Sequence, residues 1–180
     1  MSTADSWQKA EIAGPVKALV ITKPEVVIAM IKKAKRPLLI VGHEAAEIKI
    51  DDKKLLDYAI YISKNGNIPL VATAHIVGDF VKKGFHTAAT LSAVDISNRL
   101  IDPEWMGFDG NGQYDLAIFM GITHYFENIL FSSLKHFSQN LKTISLDNYY
   151  HPHASWSFPN LSKKDWVQNL EIIISKLGVE

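Results

Sequence analysis

Two uninterrupted apolar runs constrain the fold of this chain more than any other sequence feature. Residues 38–41 read Leu-Leu-Ile-Val and residues 116–120 read Leu-Ala-Ile-Phe-Met, and each run closes on a glycine, Gly42 or Gly121. Neither run alternates between polar and apolar side chains, so neither is expected to leave one face in water. Such runs are typical of strands in a parallel sheet that helices cover on both faces.

The rest of the chain alternates strand signals with helix signals. Capping boxes at Thr22 with Glu25 and at Ser162 with Asp165 predict the starts of two helices. The predicted strands cover residues 38–42, 68–73, 114–121 and 142–147, with helices in the intervals, including two short ones around Gly84. This alternation predicts a single-domain α/β protein over residues 1–180, a doubly wound, Rossmann-like parallel sheet with a lead-in segment over about residues 1–20.

The helix predicted over residues 125–138 is unusually rich in aromatic side chains. Its inner face is predicted to consist of Phe126, Leu130, Leu134 and Phe137. Tyr125 and Phe131 lie off that face, so they need either additional core or a partner.

The charge balance and the apolar patterning exclude several classes of protein. Nineteen basic residues cancel nineteen acidic ones, so no long-range field gathers nucleic acid or an anionic membrane surface. The N-terminus lacks the basic and apolar regions of a signal peptide, and no apolar stretch approaches the ~18 residues needed to span a bilayer. We expect a cytoplasmic protein that binds neither nucleic acid nor membrane.

The absence of cysteine limits the available chemistry further. An iron–sulfur cluster held by thiolates, a thiolate nucleophile and a disulfide are all excluded. Any redox role is therefore expected to use a bound organic cofactor or the metals of a partner. We expect this chain to hold no metal of its own.

The carboxyl ends of the predicted strands define a candidate binding site, because ligands of open parallel sheets bind there, where the strand order reverses. The candidate residues are Gly42, His43, Thr73, His75, Gly121, Thr123, His124 and Asp147. Backbone N–H groups at Gly42 and Gly121 are placed to hold a pyrophosphate, and Asp147 to accept a ribose hydroxyl. A glycine-rich loop adds Gly110 and Gly112, where glycine permits close backbone approach to a ligand. FAD or NAD is the expected cofactor, although the chain has no G-x-G-x-x-G motif.

Histidines offer a different interpretation of the same edge. His43, His75 and His124 each lie within three residues of a predicted strand end, so they are expected to converge, as the ligands of a zinc hydrolase would. The chain has no H-E-x-x-H pair, and neutral histidines also occur as hydrogen-bonding groups in polar crevices. His151 and His153, on either side of a proline, predict a surface turn or a contact with a partner.

Three stretches together resemble a known family. Residues 35–42, 109–123 and 141–160 are similar to the epsilon subunits of the archaeal carbon monoxide dehydrogenase/acetyl-CoA decarbonylase-synthase complex. The resemblance implies a deoxyhypusine-synthase-like NAD/FAD-binding fold and a hetero-oligomer with a large alpha subunit, which carries the nickel–iron–sulfur centre and iron–sulfur clusters, in a two-plus-two assembly. It further implies a stabilising role with electron transfer to FAD, and supplies no catalytic residue.

Two alternatives remain beside a cofactor-holding subunit. The chain is purely structural if side chains such as Phe108, Tyr149 or Trp156 fill the ancestral nucleotide crevice. It is a free-standing hydrolase if the histidines act on a substrate. In isolation, self-association of the chain is also compatible with the sequence.

Overall fold

A parallel sheet covered by helices forms the centre of the protein in a computed structural model that describes residues 14–178. The strands are β1 (Leu19–Val20), β2 (Pro37–Val41), β3 (Lys49–Ile50), β4 (Lys53–Lys54), β5 (Leu70–Ala72), β6 (Ala89–Thr90), β7 (Leu116–Met120), β8 (Lys142–Ser145) and β9 (Trp156–Ser157). The helices are α1 (Glu25–Lys33), α2 (Glu44–Glu47), α3 (Leu55–Gly66), α4 (Val77–Lys82), α5 (Ala93–Ile101), α6 (His124–Phe137) and α7 (Lys163–Leu177), with a 3₁₀ turn at Ala74–Ile76.

The order of the strands confirms the predicted doubly wound architecture. Seven parallel strands lie in the order β1-β9-β8-β7-β2-β5-β6, and β3 and β4 form a separate antiparallel hairpin. From β2 the chain moves outward through β5 to β6, then returns to β7 and proceeds outward on the other side through β8 and β9. The strand order therefore reverses between β2 and β7, which places a topological switch point at their carboxyl ends.

Burial of β2 and β7 explains their unbroken apolar sequences. Leu39 and Ile118 point into one core, which α1, α3 and α7 complete. Ile40 and Phe119 point to the opposite face, into a second core that includes residues of α5 and α6. Every residue from Leu116 to Met120 is at most 2% exposed, so a polar side chain on either face of this strand would be buried without water.

Five strands escape prediction because each contains only two residues: the two strands of the hairpin, β3 and β4, and three strands of the parallel sheet, β1, β6 and β9. β6 lies in the interval where only helices are predicted, and β9 lies in the aromatic segment before α7. β1 belongs to the lead-in segment, of which residues 1–13 lie outside the described residues; it pairs with β9 through Leu19 and Trp156. Two residues are too few to display the period-2 alternation of a strand, so tertiary pairing alone reveals these elements.

One predicted capping box forms and the other does not. The Ser162 side chain accepts a hydrogen bond from the Asp165 N–H at the start of α7, as predicted. The prediction at Thr22 is wrong, because α1 begins after Pro24, which already has a helical φ of −61° and provides no side-chain cap. Backbone carbonyls of Lys23 and Pro24 accept the first N–H groups of α1 instead.

Helix α6 is rotated relative to the predicted orientation. Its buried residues are Glu127, Asn128, Leu130, Phe131 and Leu134. Phe126 and Phe137, predicted to face inward, are 38% and 66% exposed. Leu130 and Leu134 are buried as predicted, but the prediction is wrong for Phe126 and Phe137, because Glu127 and Phe131 occupy the inner side and Phe131 packs edge-on against Phe119 of β7.

Candidate functional site

Gly42 and Gly121 meet at the switch point, where the ends of β2 and β7 touch. A Cβ atom on Gly42 would collide with the carbonyl oxygen of Gly121. Gly121 has a φ of +69°, and a Cβ there would lie 2.7 Å from the backbone nitrogen of Ala45 in α2. Glycine is thus required at both positions by close contact between two loops of the chain itself.

Backbone hydrogen bonds inside the chain already use the N–H groups of both glycines. The Gly42 N–H donates to the Met120 carbonyl at 2.9 Å. The Gly121 N–H donates to the two carboxylate oxygens of Asp147, at 2.8 and 3.1 Å. These groups do not fit a bound pyrophosphate as they stand, because a phosphate at Gly121 would have to displace Asp147.

Asp147 belongs to a buried cluster of acidic and imidazole side chains. Glu127 and His151 are fully buried and Asp147 is 8% exposed, and ligand atoms of all three lie within 4.8 Å of one another. His151 Nε2 lies 3.3 Å from Glu127 Oε2 and 3.2 Å from His124 Nδ1. The first turn of α6 and the loop after β8 are joined by this cluster at the carboxyl edge of the sheet.

The electrostatic environment keeps the cluster close to neutral. Burial raises the pKa of Glu127 to about 7, against the opposing effect of the neighbouring Asp147 and Ser145 side chains. Burial, together with the Glu127 carboxyl, raises the pKa of Asp147 well above its usual value. Burial lowers the pKa of His151 to about 4, although Asp147 acts in the other direction. Neutral imidazole beside partly protonated carboxyls is therefore the preferred state near pH 7.

The structure brings together only some of the candidate site residues predicted from the sequence. His124 contacts the rings of His151 and Tyr149. His43 and His75 are exposed on neighbouring loops, and Thr73 is half-buried after β5. Within residues 14–178, the one set of side chains with the spacing of metal ligands contains none of the three predicted histidines.

Gly110 and Gly112 lie at the opposite edge of the sheet, because their loop precedes β7. The loop is held by Arg36, whose guanidinium donates two hydrogen bonds to Asp109, at 2.5 and 3.2 Å. The Asp115 carboxylate accepts hydrogen bonds at 2.8 Å from the N–H groups of Lys35 and Arg36. The length of strand β7 therefore separates these two glycines from Gly121.

His151 and His153 form no surface turn, contrary to the sequence prediction. They are 0% and 8% exposed. The N–H of His151 donates to the Ser157 hydroxyl at 3.0 Å, which fixes the loop beneath the sheet edge.

Glu127 and His151 are the site residues that sequence reasoning missed. The available signal was the spacing of His124 and Glu127, three apart on one helix face.

Two of the three side chains proposed to fill the nucleotide crevice lie away from the switch point. Phe108 packs against Trp105 and Tyr114 at the amino edge of the sheet. Trp156 is part of β9. Tyr149 lies at the carboxyl edge, where its ring contacts that of His124, and it is 55% exposed.

An exposed apolar surface adjoins the buried cluster. Tyr125, Phe126 and Ile129 of α6 are 66%, 38% and 46% exposed, and Tyr149 lies beside His124 at the start of the same helix. We call these four residues the α6 face. Large apolar groups clustered in this way are typical of a surface that binds another protein.

Every helix in the described part of the chain is too short or too polar to cross a membrane.

Comparison with known proteins shows the family of this chain. A family model described as CO dehydrogenase beta subunit/acetyl-CoA synthase epsilon subunit matches residues 2–174. Subunit epsilon of the acetyl-CoA decarbonylase/synthase complex from Methanothermobacter thermautotrophicus is 38% identical over 165 residues, which cover 92% of this chain and 91% of the relative. The same subunit from Methanothrix soehngenii is 42% identical over 157 residues, covering 87% and 81%. Subunit epsilon 1 from Archaeoglobus fulgidus is 41% identical over 162 residues, covering 89% and 84%. The chain therefore belongs to the family of CO dehydrogenase/acetyl-CoA synthase epsilon subunits.

Proposed function

We propose that this chain is a non-catalytic epsilon subunit that binds and stabilises the large alpha subunit of an acetyl-CoA decarbonylase/synthase complex, two copies of each. The names of the relatives support membership of such a complex. The lack of cysteine supports an accessory role, since the nickel–iron–sulfur and iron–sulfur chemistry then belongs to the partner.

The observation that carries the proposal is the α6 face. Its side chains Tyr125, Phe126 and Ile129 project from a helix whose inner side is fixed by three buried residues, Leu130, Phe131 and Leu134. A rigid helix with exposed Tyr and Phe side chains favours association, because these residues bury large apolar areas at little cost in conformational entropy.

A reconstitution experiment tests the α6 face directly. The double substitution Tyr125→Ser with Ile129→Ser removes apolar area from exposed positions and leaves the core untouched. We expect the variant to bind the large subunit at least about tenfold more weakly than the unmodified chain, as measured by calorimetry. We also expect it to lose its ability to slow thermal inactivation of the large subunit's CO dehydrogenase activity.

The matched control is Val26→Ser with Val81→Ser. It also replaces two exposed apolar side chains by serine, but on α1 and α4, where Val26 is 36% and Val81 is 57% exposed. This control is expected to bind and stabilise the large subunit normally. Equal affinity of both double variants would show that the α6 face is not the docking surface.

A bound FAD or NAD is a second component of the proposal, supported by the topological switch point. A dinucleotide there would use the exposed side chains of His43, Thr123 and His124. It would also need Asp147 to release the Gly121 N–H. Bound flavin would supply a one- or two-electron acceptor for the partner's clusters; this chain would only bind and orient it.

Flavin fluorescence during titration with the chain, alone and in the reconstituted complex, tests this component. We expect quenching by the unmodified chain that His43→Ala weakens, whereas His136→Ala, on an exposed position of α6, leaves it unchanged. Fluorescence that is unaffected by the chain in both settings would remove FAD from the proposal and favour a purely structural subunit.

A further inference from the structure

We propose that the buried cluster binds one divalent metal ion of the zinc type, with Glu127, Asp147 and His151 as ligands and His124 as the fourth ligand on the exposed side. Neither the resemblance to epsilon subunits nor the names of the relatives assigns a metal to this chain. The role of the ion is structural, because it would connect the first turn of α6 to the loop after β8.

Two of the separations between donor atoms match those of a tetrahedral ion. Tetrahedral zinc with bonds of about 2.0–2.1 Å to nitrogen and oxygen requires ligand atoms about 3.3 Å apart. His151 Nε2 lies 3.2 Å from His124 Nδ1 and 3.3 Å from Glu127 Oε2. Asp147 completes a group whose atoms, together with those of Glu127 and His151, fall within 4.8 Å of one another.

The hydrogen bonding of the cluster is incomplete without a cation. Glu127 is 0% exposed, and the Asp147 and Ser145 side chains lie close enough to lower its pKa. Neither carboxylate oxygen of Glu127 nevertheless makes a hydrogen bond of normal geometry with residues 14–178. His151 Nε2 faces both His124 Nδ1 and Glu127 Oε2, and a single N–H cannot point at both. Buried polar atoms in this situation are costly. A divalent cation would bind His151 Nε2, His124 Nδ1 and the Glu127 carboxylate together.

The donor set selects the class of ion. Two imidazole nitrogens and two carboxylates suit zinc and neighbouring first-row transition ions, whereas magnesium and calcium prefer oxygen ligands alone. The ligands come as two pairs: His124 and Glu127 on one face of the first turn of α6, and Asp147 and His151 in one loop. His124 is exposed, so the ion has a route into the cluster from solvent.

Metal binding by the full chain tests this proposal without any partner, so its outcome is independent of the α6 face. Chelator-treated protein is titrated with Zn²⁺ by calorimetry, and with Co²⁺ while visible absorption reports tetrahedral coordination. We expect one Zn²⁺ per chain, a tetrahedral Co²⁺ spectrum, and a higher melting temperature with the ion than without it. Glu127→Gln preserves the shape of the side chain and is expected to weaken Zn²⁺ binding at least about tenfold.

Two further variants separate the site from surface histidines. His124→Ala removes an exposed ligand, so it is expected to fold normally and also to weaken binding at least about tenfold. His136→Ala, exposed on the same helix, is the matched control and should bind Zn²⁺ normally. Absence of stoichiometric Zn²⁺ binding by the folded, unmodified chain would overturn the proposal. So would equal affinity of the His124 and His136 variants.

Discussion

At the residue scale, the contact between Gly42 and Gly121 fixes how closely the loops after β2 and β7 approach. We predict that Gly42→Ala destabilises the protein by at least about 2 kcal/mol, because the new methyl group would meet the backbone of Gly121 rather than a flexible side chain. Urea unfolding followed by circular dichroism measures the change.

The control is Gly78→Ala. Gly78 lies within α4 and has no atom within 4 Å of where its Cβ would be. Alanine there is expected to stabilise the helix by about 0.5–1 kcal/mol. If Gly42→Ala is as stable as Gly78→Ala, the two loops are not in the close contact described above.

Asp109 provides a residue-scale prediction about pH. Its hydrogen bonds with the Arg36 guanidinium, and those from Asn111, hold the pKa of this carboxyl well below its usual range. A lowered pKa in the folded state adds stability at pH values above the unfolded pKa, and this stability is lost as the pH falls through the folded value. Asp109→Asn should therefore be less stable than the unmodified chain at pH 7, and the difference should shrink as the pH falls below about 4.

Urea unfolding of both proteins at pH 7 and at about pH 2 measures that difference, because most of the loss is expected between the unfolded pKa and the lower folded pKa. Asp95→Asn serves as the control, since Asp95 is also exposed and its carboxylate accepts a hydrogen bond from the nearby Ser92 hydroxyl. A difference between Asp109→Asn and the unmodified chain that is equal at both pH values would contradict the role of the ion pair in holding the loop before β7.

At the scale of a single element, two helix starts with similar sequences behave differently. Ser162 caps α7 through the Asp165 N–H, at 3.2 Å. Ser162→Ala is expected to cost about 1 kcal/mol of stability, measured by thermal or urea unfolding. Thr22 makes no such bond, because α1 begins at Glu25 after Pro24. Thr22→Ala is therefore the internal control, with a change within about 0.5 kcal/mol. Equal losses for the two substitutions would restore the capping role predicted for Thr22.

At the scale of the whole molecule, stability should decrease from the centre of the sheet to its edges. Residues 38–41 of β2 and all of β7 are buried, and both strands pair with neighbours on both sides. β1 lies at one edge, where Leu19 is 60% exposed. Amides of Ile40 and Phe119 should exchange with deuterium only on global unfolding, whereas the Leu19 amide should exchange at least about 100-fold faster through local opening.

Hydrogen exchange of the native protein, followed residue by residue, checks this order. Adding sub-denaturing urea should accelerate the central amides strongly and the edge amide weakly, because only global unfolding exposes a large surface. Uniform exchange across β1, β2 and β7 would contradict a sheet whose edge strands open independently of its centre.

Local sequence determined those features whose physical cause is local. The unbroken apolar runs of β2 and β7 require burial on both faces, and this alone indicates a parallel sheet with helices on either side. Ser162 and Asp165 form their cap within one turn of chain. The sequence also places Gly42 and Gly121 directly after buried strands. The strand order of the folded sheet is what brings these two strand ends together at the switch point.

Tertiary packing decided which strands are neighbours, which face of α6 is buried and which polar groups are in contact. Two-residue strands such as β1 and β9 exist only through pairing: β1 pairs with β9, and β9 pairs with both β1 and β8. Glu127 lies on the buried side of α6, next to Asp147 and His151. The periodicity of the α6 sequence does not predict these contacts. The same holds for Gly110, whose loop lies across the sheet from Gly121. Sequence order does not reveal spatial distance until the strands are paired.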